Sequence, residues 1–168
     1  MQQHHGRSGS CLRHADAATI HTDIARGPLA TLPTPLHLAP RLSEYLGVEV
    51  WFKRDDLTGL GLGGNKVRGL EFLLADALGQ GCDHLVTAGG TQSNWAMLAA
   101  LAARTRGLDS TLVSFGDPPA GGPVGNHALA VLAGARLHFT GDADRSSADR
   151  GVDEVCRTLR AEGLSPYG

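Results

Sequence analysis

The chain has 168 residues, 42% of them hydrophobic and 19% charged, and its 15 Lys and Arg against 17 Asp and Glu leave a formal net charge of −2. That composition describes a globular protein with enough chain for a core of its own, and it excludes a disulfide-stapled miniprotein. A pI near 6.4 with no run of Lys or Arg lacks the electrostatic footprint of a nucleic-acid binder or of a protein held on an anionic membrane, so neither is expected as a partner.

Cys11, Cys82 and Cys156 are widely spaced, with no C-x-x-C pair and no ligand spacing to the histidines. They predict free thiols in a reducing compartment and no metal site. Residues 1–25 hold His4, His5, His14 and His21 but no apolar h-region, and read as a flexible tail. No stretch reaches the roughly 20 apolar residues of a membrane span, and a cytoplasmic location is expected.

Leu32-Pro33-Thr34-Pro35-Leu36 reads as an extended lead-in, because each proline removes a backbone donor and restricts its predecessor. A short helix over 40–46 and a strand over Val48–Phe52 follow. Gly59-Leu60-Gly61-Leu62-Gly63-Gly64 formally matches G-x-G-x-x-G. A dinucleotide site would need an acidic residue at the end of the second strand, where Thr87 stands. A P-loop would need Lys and Ser or Thr where Asn65 and Val67 stand, which leaves a flexible loop as the alternative.

Val67, Leu70, Leu73, Leu74, Ala77 and Leu78 then recur at helical spacing, with Gly79 and Gly81 where a C-cap belongs. A strand over 84–87, a turn over 89–93, a helix over 94–106 and a strand over 111–115 come next. After a loop over 118–125 the pattern predicts a helix over 126–132, a strand over 136–140 and a helix over 148–162. So regular an alternation implies an α/β fold of three layers, α/β/α, around a mostly parallel sheet. Ligands in such sheets sit beyond the carboxyl ends of the strands.

Two places could carry chemistry. Lys66 opens the apolar helix, an end that disfavours cations; desolvation and positive potential there would both favour a nucleophilic amine of the kind that forms Schiff bases. The plainer reading is a surface lysine sharing a solvated first turn with Arg68. Gly89-Gly90-Thr91-Gln92-Ser93-Asn94 is a polar turn before a helix, suited to an anion such as a carboxylate, although Ser93 or Asn94 could equally be a simple cap. Asn126 reads as a cap as well.

These residues also carry a resemblance. Leu32–Leu36, Phe52-Lys53-Arg54-Asp55-Asp56-Leu57-Thr58, Gly63-Gly64-Asn65-Lys66-Val67-Arg68, Leu70–Ala77 and Gln92-Ser93-Asn94, in that order between about Pro28 and Ala135, resemble the D-cysteine desulfhydrase and 1-aminocyclopropane-1-carboxylate deaminase family. The resemblance implies a pyridoxal-phosphate enzyme of fold type II, the tryptophan synthase β-subunit-like architecture, acting on a small amino acid, with a homodimer expected. Lys66 would then be the lysine that binds the cofactor covalently and moves protons. Ser93 would act on the substrate, Asn65 and Asn94 would lie at the cofactor, and Gln92, Ser93, Asn94 and Trp95 would line the substrate site. The stretch Glu71–Asp76 looks closer to the desulfhydrase branch, which releases pyruvate, sulfide and ammonia, than to the deaminase branch.

The resemblance also divides the chain: residues 26–62 would begin the large cofactor domain and 63–168 would form the small α/β domain. Departures are Trp95 where the family commonly has His or Gln, Met97 where a basic or polar residue is frequent, and Gly69 where lysine is usual. The family continues past the position of Gly168 into the phosphate-binding loop, so a truncated protein is expected, inactive by itself. The reading of another class is a catalytically silent α/β module that associates with a partner chain.

Overall fold

A computed structural model describes residues 24–168; the tail expected over 1–25 lies outside the described residues except for its last two positions. The order of elements is β1 (Leu36–Leu38), α1 (Pro40–Leu46), β2 (Trp51–Lys53), a 3-10 turn (Asp55–Leu57), α2 (Lys66–Gly79), β3 (His84–Ala88), α3 (Asn94–Thr105), β4 (Asp109–Ser114), α4 (Asn126–Leu132), β5 (Arg136–Phe139), α5 (Ser147–Ala161) and β6 (Pro166–Tyr167). Four strands form an all-parallel sheet in the order β5-β4-β3-β6. Apart from it, β1 and β2 form an antiparallel ladder in which Leu36 faces Lys53 and Leu38 faces Trp51.

The sheet is covered on both faces because successive strand residues point opposite ways. Leu85 of β3 joins Val67, Leu70 and Leu74 of α2 and Met97 and Leu98 of α3 in one core. Its neighbour Val86, with Val113 of β4, packs instead against Val155, Cys156 and Leu159 of α5. Leu112 turns back toward Ala100 of α3 and Ala130 of α4. The three layers read from the alternation are therefore present. Gly151 lets α5 approach the sheet, since a β-carbon there would lie 2.7 Å from Val113 Cγ1.

Glu71 adds a polar anchor. It is 1% exposed and accepts hydrogen bonds from Arg26 Nε (2.7 Å), Leu29 N (2.8 Å) and Ala30 N (2.9 Å). These bonds tie residues 26–30 to α2 across the division expected at 62/63. None of the described helices is long and apolar enough to cross a membrane. Cys82 and Cys156 are free thiols, while Cys11 lies outside the described residues.

Candidate active site

The stretch Gly59–Gly64, for which a flexible loop was the alternative, is a hydrogen-bonded turn. Gly64 N–H donates to Asp55 O (2.7 Å) and to the hydroxyl of the buried Thr58 (3.0 Å). Gly63 has φ of 72°, and a β-carbon there would stand 2.1 Å from Asp56 O, so only glycine closes this turn. Arg68 reaches back from the first turn of α2 and grips Asp55 with two 2.7 Å bonds, while Thr34 Oγ1 donates to the same carboxylate at 2.7 Å. Arg68, and then Thr34, hold the Asp55 carboxyl well below the usual carboxylate range.

Arg68 is thus engaged with Asp55 rather than sharing an open, solvated first turn with Lys66. Lys66 itself is the first residue of α2 and is exposed, with Asn65 Oδ1 3.4 Å from its Nζ. The desolvation invoked for it from the sequence is not supplied by these residues, because nothing among them covers the side chain. Its address is fixed and its solvent shell is open.

The second place is the turn between β3 and α3. Ser93 is the N-cap of α3, its Oγ accepting from Ala96 N at 3.2 Å, so the cap reading is realised. Gly89 sits so close that a β-carbon there would meet Ser93 Cβ at 2.7 Å. Gly89 N–H donates to Val113 O (3.0 Å) and its carbonyl accepts from Ser114 Oγ (2.8 Å), which locks the turn to β4. Trp95 lies across the start of α3 with its indole N–H donated to Thr87 Oγ1 at 2.9 Å.

The expected site residues separate into two cavities. Lys66, Asn65 and Asn94 line one of about 280 Å³, together with Gly63 and Gly64. Ser93 and Trp95 line a larger one of about 820 Å³ at the carboxyl end of β3, with Gly89, Gly90, Phe115 and Arg145. Gln92, expected among the substrate residues, lines neither: its Nε2 donates to Val124 O (3.0 Å) and its Oε1 accepts from Asn126 N (3.0 Å). Two further residues bear on the site. Arg145 borders the larger cavity, and Asn126, read as a cap, lies one residue inside α4, whose N-cap is Gly125.

In the smaller cavity a primary amine and two carboxamides line one space. Such a set suits a carbonyl compound that also carries an anionic oxygen. Comparison with known proteins decides between the possibilities, since residues 28–167 match the family model described as pyridoxal-phosphate dependent enzyme. The chain belongs to that family.

The cofactor of this family, pyridoxal phosphate, has an aldehyde beside a phenolic oxygen, and Lys66 and Asn94 fit those two groups. The described residues of the cavity include no arginine and no second lysine for the phosphate. Among relatives, the chain is 45% identical over 148 residues to a Pyrococcus abyssi protein named "Putative 1-aminocyclopropane-1-carboxylate deaminase", covering 86% of this chain and 44% of that one. It is 41% identical over 152 residues to D-cysteine desulfhydrase of Klebsiella pneumoniae, covering 87% of this chain and 45% of that one. The crystal structure of an ACC deaminase homologue superposes with a TM-score of 0.79 at 39% identity, over 86% of this chain and 44% of that chain. The fold is that of fold type II pyridoxal-phosphate enzymes, and the chain spans less than half the length of these relatives.

Proposed function

We propose that these residues carry the cofactor lysine and the substrate turn of a pyridoxal-phosphate-dependent lyase that converts a small amino acid such as D-cysteine, with one water consumed, into pyruvate, sulfide and ammonia. The observation that carries this reading is the one cavity shared by Lys66, Asn65 and Asn94, in a chain with a D-cysteine desulfhydrase relative at 41% identity. When bound, pyridoxal phosphate supplies an electron sink for the carbanion formed at the amino acid's α-carbon. Lys66 would hold the cofactor covalently, and its amine would take the proton from the amino acid's α-carbon as sulfide leaves the β-carbon. Asn94 would donate toward the phenolic oxygen. The turn from Gly89 to Ser93 would receive the substrate carboxylate on the N–H groups of Gly90, Thr91 and Gln92 before α3, since those of Gly89 and Ser93 donate to Val113 O and Gly90 O, with Trp95 as one wall.

Opening of a cyclopropane amino acid is the second reading, favoured by the name of the Pyrococcus abyssi relative. The free thiols Cys82 and Cys156 support a reducing, cytoplasmic setting. The test is to incubate the chain with excess pyridoxal phosphate, reduce with borohydride and map the labelled peptide, which reads the site without needing turnover. The expected label is on Lys66. A label on Lys53, whose amine donates to Thr34 O, would overturn the assignment, and so would no label.

A further inference from the structure

Asn94 can serve an anionic oxygen only if its amide presents nitrogen, not oxygen, to the cavity beside Lys66, and the protein contains a device that decides which. Asn126 Nδ2 lies 2.9 Å from the backbone carbonyl of Gln92 and 2.8 Å from Asn94 Oδ1. A backbone carbonyl can only accept, so the Asn126 atom facing it must be the nitrogen; the reverse orientation would set two oxygens against each other. The second hydrogen of that nitrogen then points at Asn94, whose facing atom must in turn be its oxygen. That leaves the Asn94 NH2 group as the end free to face the cavity it lines with Lys66.

The chain of constraints is itself anchored. Asn126 N–H donates to Gln92 Oε1 (3.0 Å) and Gln92 Nε2 donates to Val124 O (3.0 Å), so the loop before α4 and the turn before α3 hold each other from both sides. Gly125 has φ of 56°, and a β-carbon there would lie 2.4 Å from Gln92 Oε1, so glycine is required for this approach.

We propose that Asn126 is a positioning residue that holds the Asn94 amide with its donor end toward the Lys66 cavity, making that end a hydrogen-bond donor for an anionic oxygen of the bound molecule. The assignment of that molecule as pyridoxal phosphate rests on the function proposed above, whereas the orientation of Asn94 does not.

The test compares the parent chain with Asn126→Asp, which keeps the shape but offers oxygen where nitrogen stood. Without any ligand, the side-chain amide pair of Asn94 is followed in ¹H–¹⁵N spectra. In the variant the Asn94 amide should turn over to donate to residue 126, shifting its pair and slowing its exchange with water while the remaining resonances keep their dispersion. Asn126→Ala should release the anchored Asn94 oxygen, so that the pair shifts from its parent position as the amide loses its fixed orientation, and serves where the aspartate variant fails to fold. An Asn94 pair that is the same in the parent and in the folded variants overturns the proposal.

Titration with pyridoxal phosphate then reads the consequence. Asn126→Asp should bind about tenfold or more weakly, the scale of losing a bond to a charged group. The same change made in an Asn94→Ala background should add nothing, because the effect runs through Asn94. Equal weakening in both backgrounds would overturn the role. Failure of the parent to take up the cofactor would overturn the functional reading instead, and the ligand-free spectra still decide the orientation.

Discussion

Gly69 neighbours the indole of Trp95: a β-carbon on Gly69 would stand 3.9 Å from Trp95 Cζ3, in van der Waals contact. Two of the departures from the family pattern are therefore neighbours. A methyl group at 69 would just touch the ring. Because glycine in a helix costs about 0.5–1 kcal/mol relative to alanine, Gly69→Ala should stabilise the protein by that amount. Urea unfolding of the two proteins checks it, and a lower midpoint for the variant would show that the ring cannot accept the contact.

Trp95 has one donor, and it is given to Thr87, so its ring can offer the larger cavity only apolar surface. Replacing it with His restores a polar edge and removes bulk. Trp95→His should raise activity on D-cysteine relative to other small amino acids, measured as ammonia release. Unchanged preference would show that this wall does not touch the substrate.

Ser93→Ala removes the hydroxyl that caps α3, which should cost about 0.5–2 kcal/mol. If the turn also receives the substrate, the affinity for a small amino acid in the cofactor-loaded protein should fall by more than this loss of stability explains. Thermal unfolding and ligand titration of one preparation separate the two effects. Lower stability with unchanged affinity would leave Ser93 as a cap alone.

Much of this architecture is legible in the residues. Helices over 40–46 and 126–132 are found where the proline, the glycines and the apolar spacing put them, and Lys66 does open its helix. The short strands β1 and β6 carry too few residues to show a period of two, so β1 meets the extended lead-in only at Leu36 and β6 has no signal in the residues. Glu71 stands four residues after Val67 and three before Leu74, on the buried stripe, where an acid needs a partner. No local pattern could have revealed the partnership of Asn126 with Asn94, because 32 residues separate them. The exposure of Lys66 depends on what packs over the helix start, which spacing along one helix does not encode.

Glu71→Ala should cost about 1–3 kcal/mol, since it strips Leu29 and Ala30 N–H of their acceptor. Burial alone would raise the pKa of Glu71, but Arg26 and the two N–H groups outweigh it and the net shift is downward. Its contribution is therefore complete above the unfolded carboxyl range and is lost as pH falls through the folded value. Urea midpoints measured between about pH 6 and pH 3 should fall more steeply for the parent than for Glu71→Ala; parallel curves would mean the carboxylate is not held by these bonds.

His84 and His127 are 1% and 3% exposed, and burial pushes both pKa values down, with Arg136 adding to the effect at His84. The unfolded chain then binds protons that the folded one refuses. Stability should be greatest above the unfolded value of about 6.5 and should fall as pH drops below it. His84→Asn should flatten the part of that fall between about pH 7 and pH 5. An identical slope would show that His84 is protonated as readily in the folded protein as in the unfolded one.

β3 stands between β4, 25 residues further along the chain from His84 to Asp109, and β6, 82 residues further along from His84 to Pro166. During synthesis the strand that carries the Ser93 and Asn94 turn gains its first neighbour early and its second only when residues 166 and 167 have left the ribosome. Until then His84 and Leu85 present an open edge to whatever else is nascent in the cell. Translation speed across α4 and α5 therefore governs how long that edge stays available to the wrong strand.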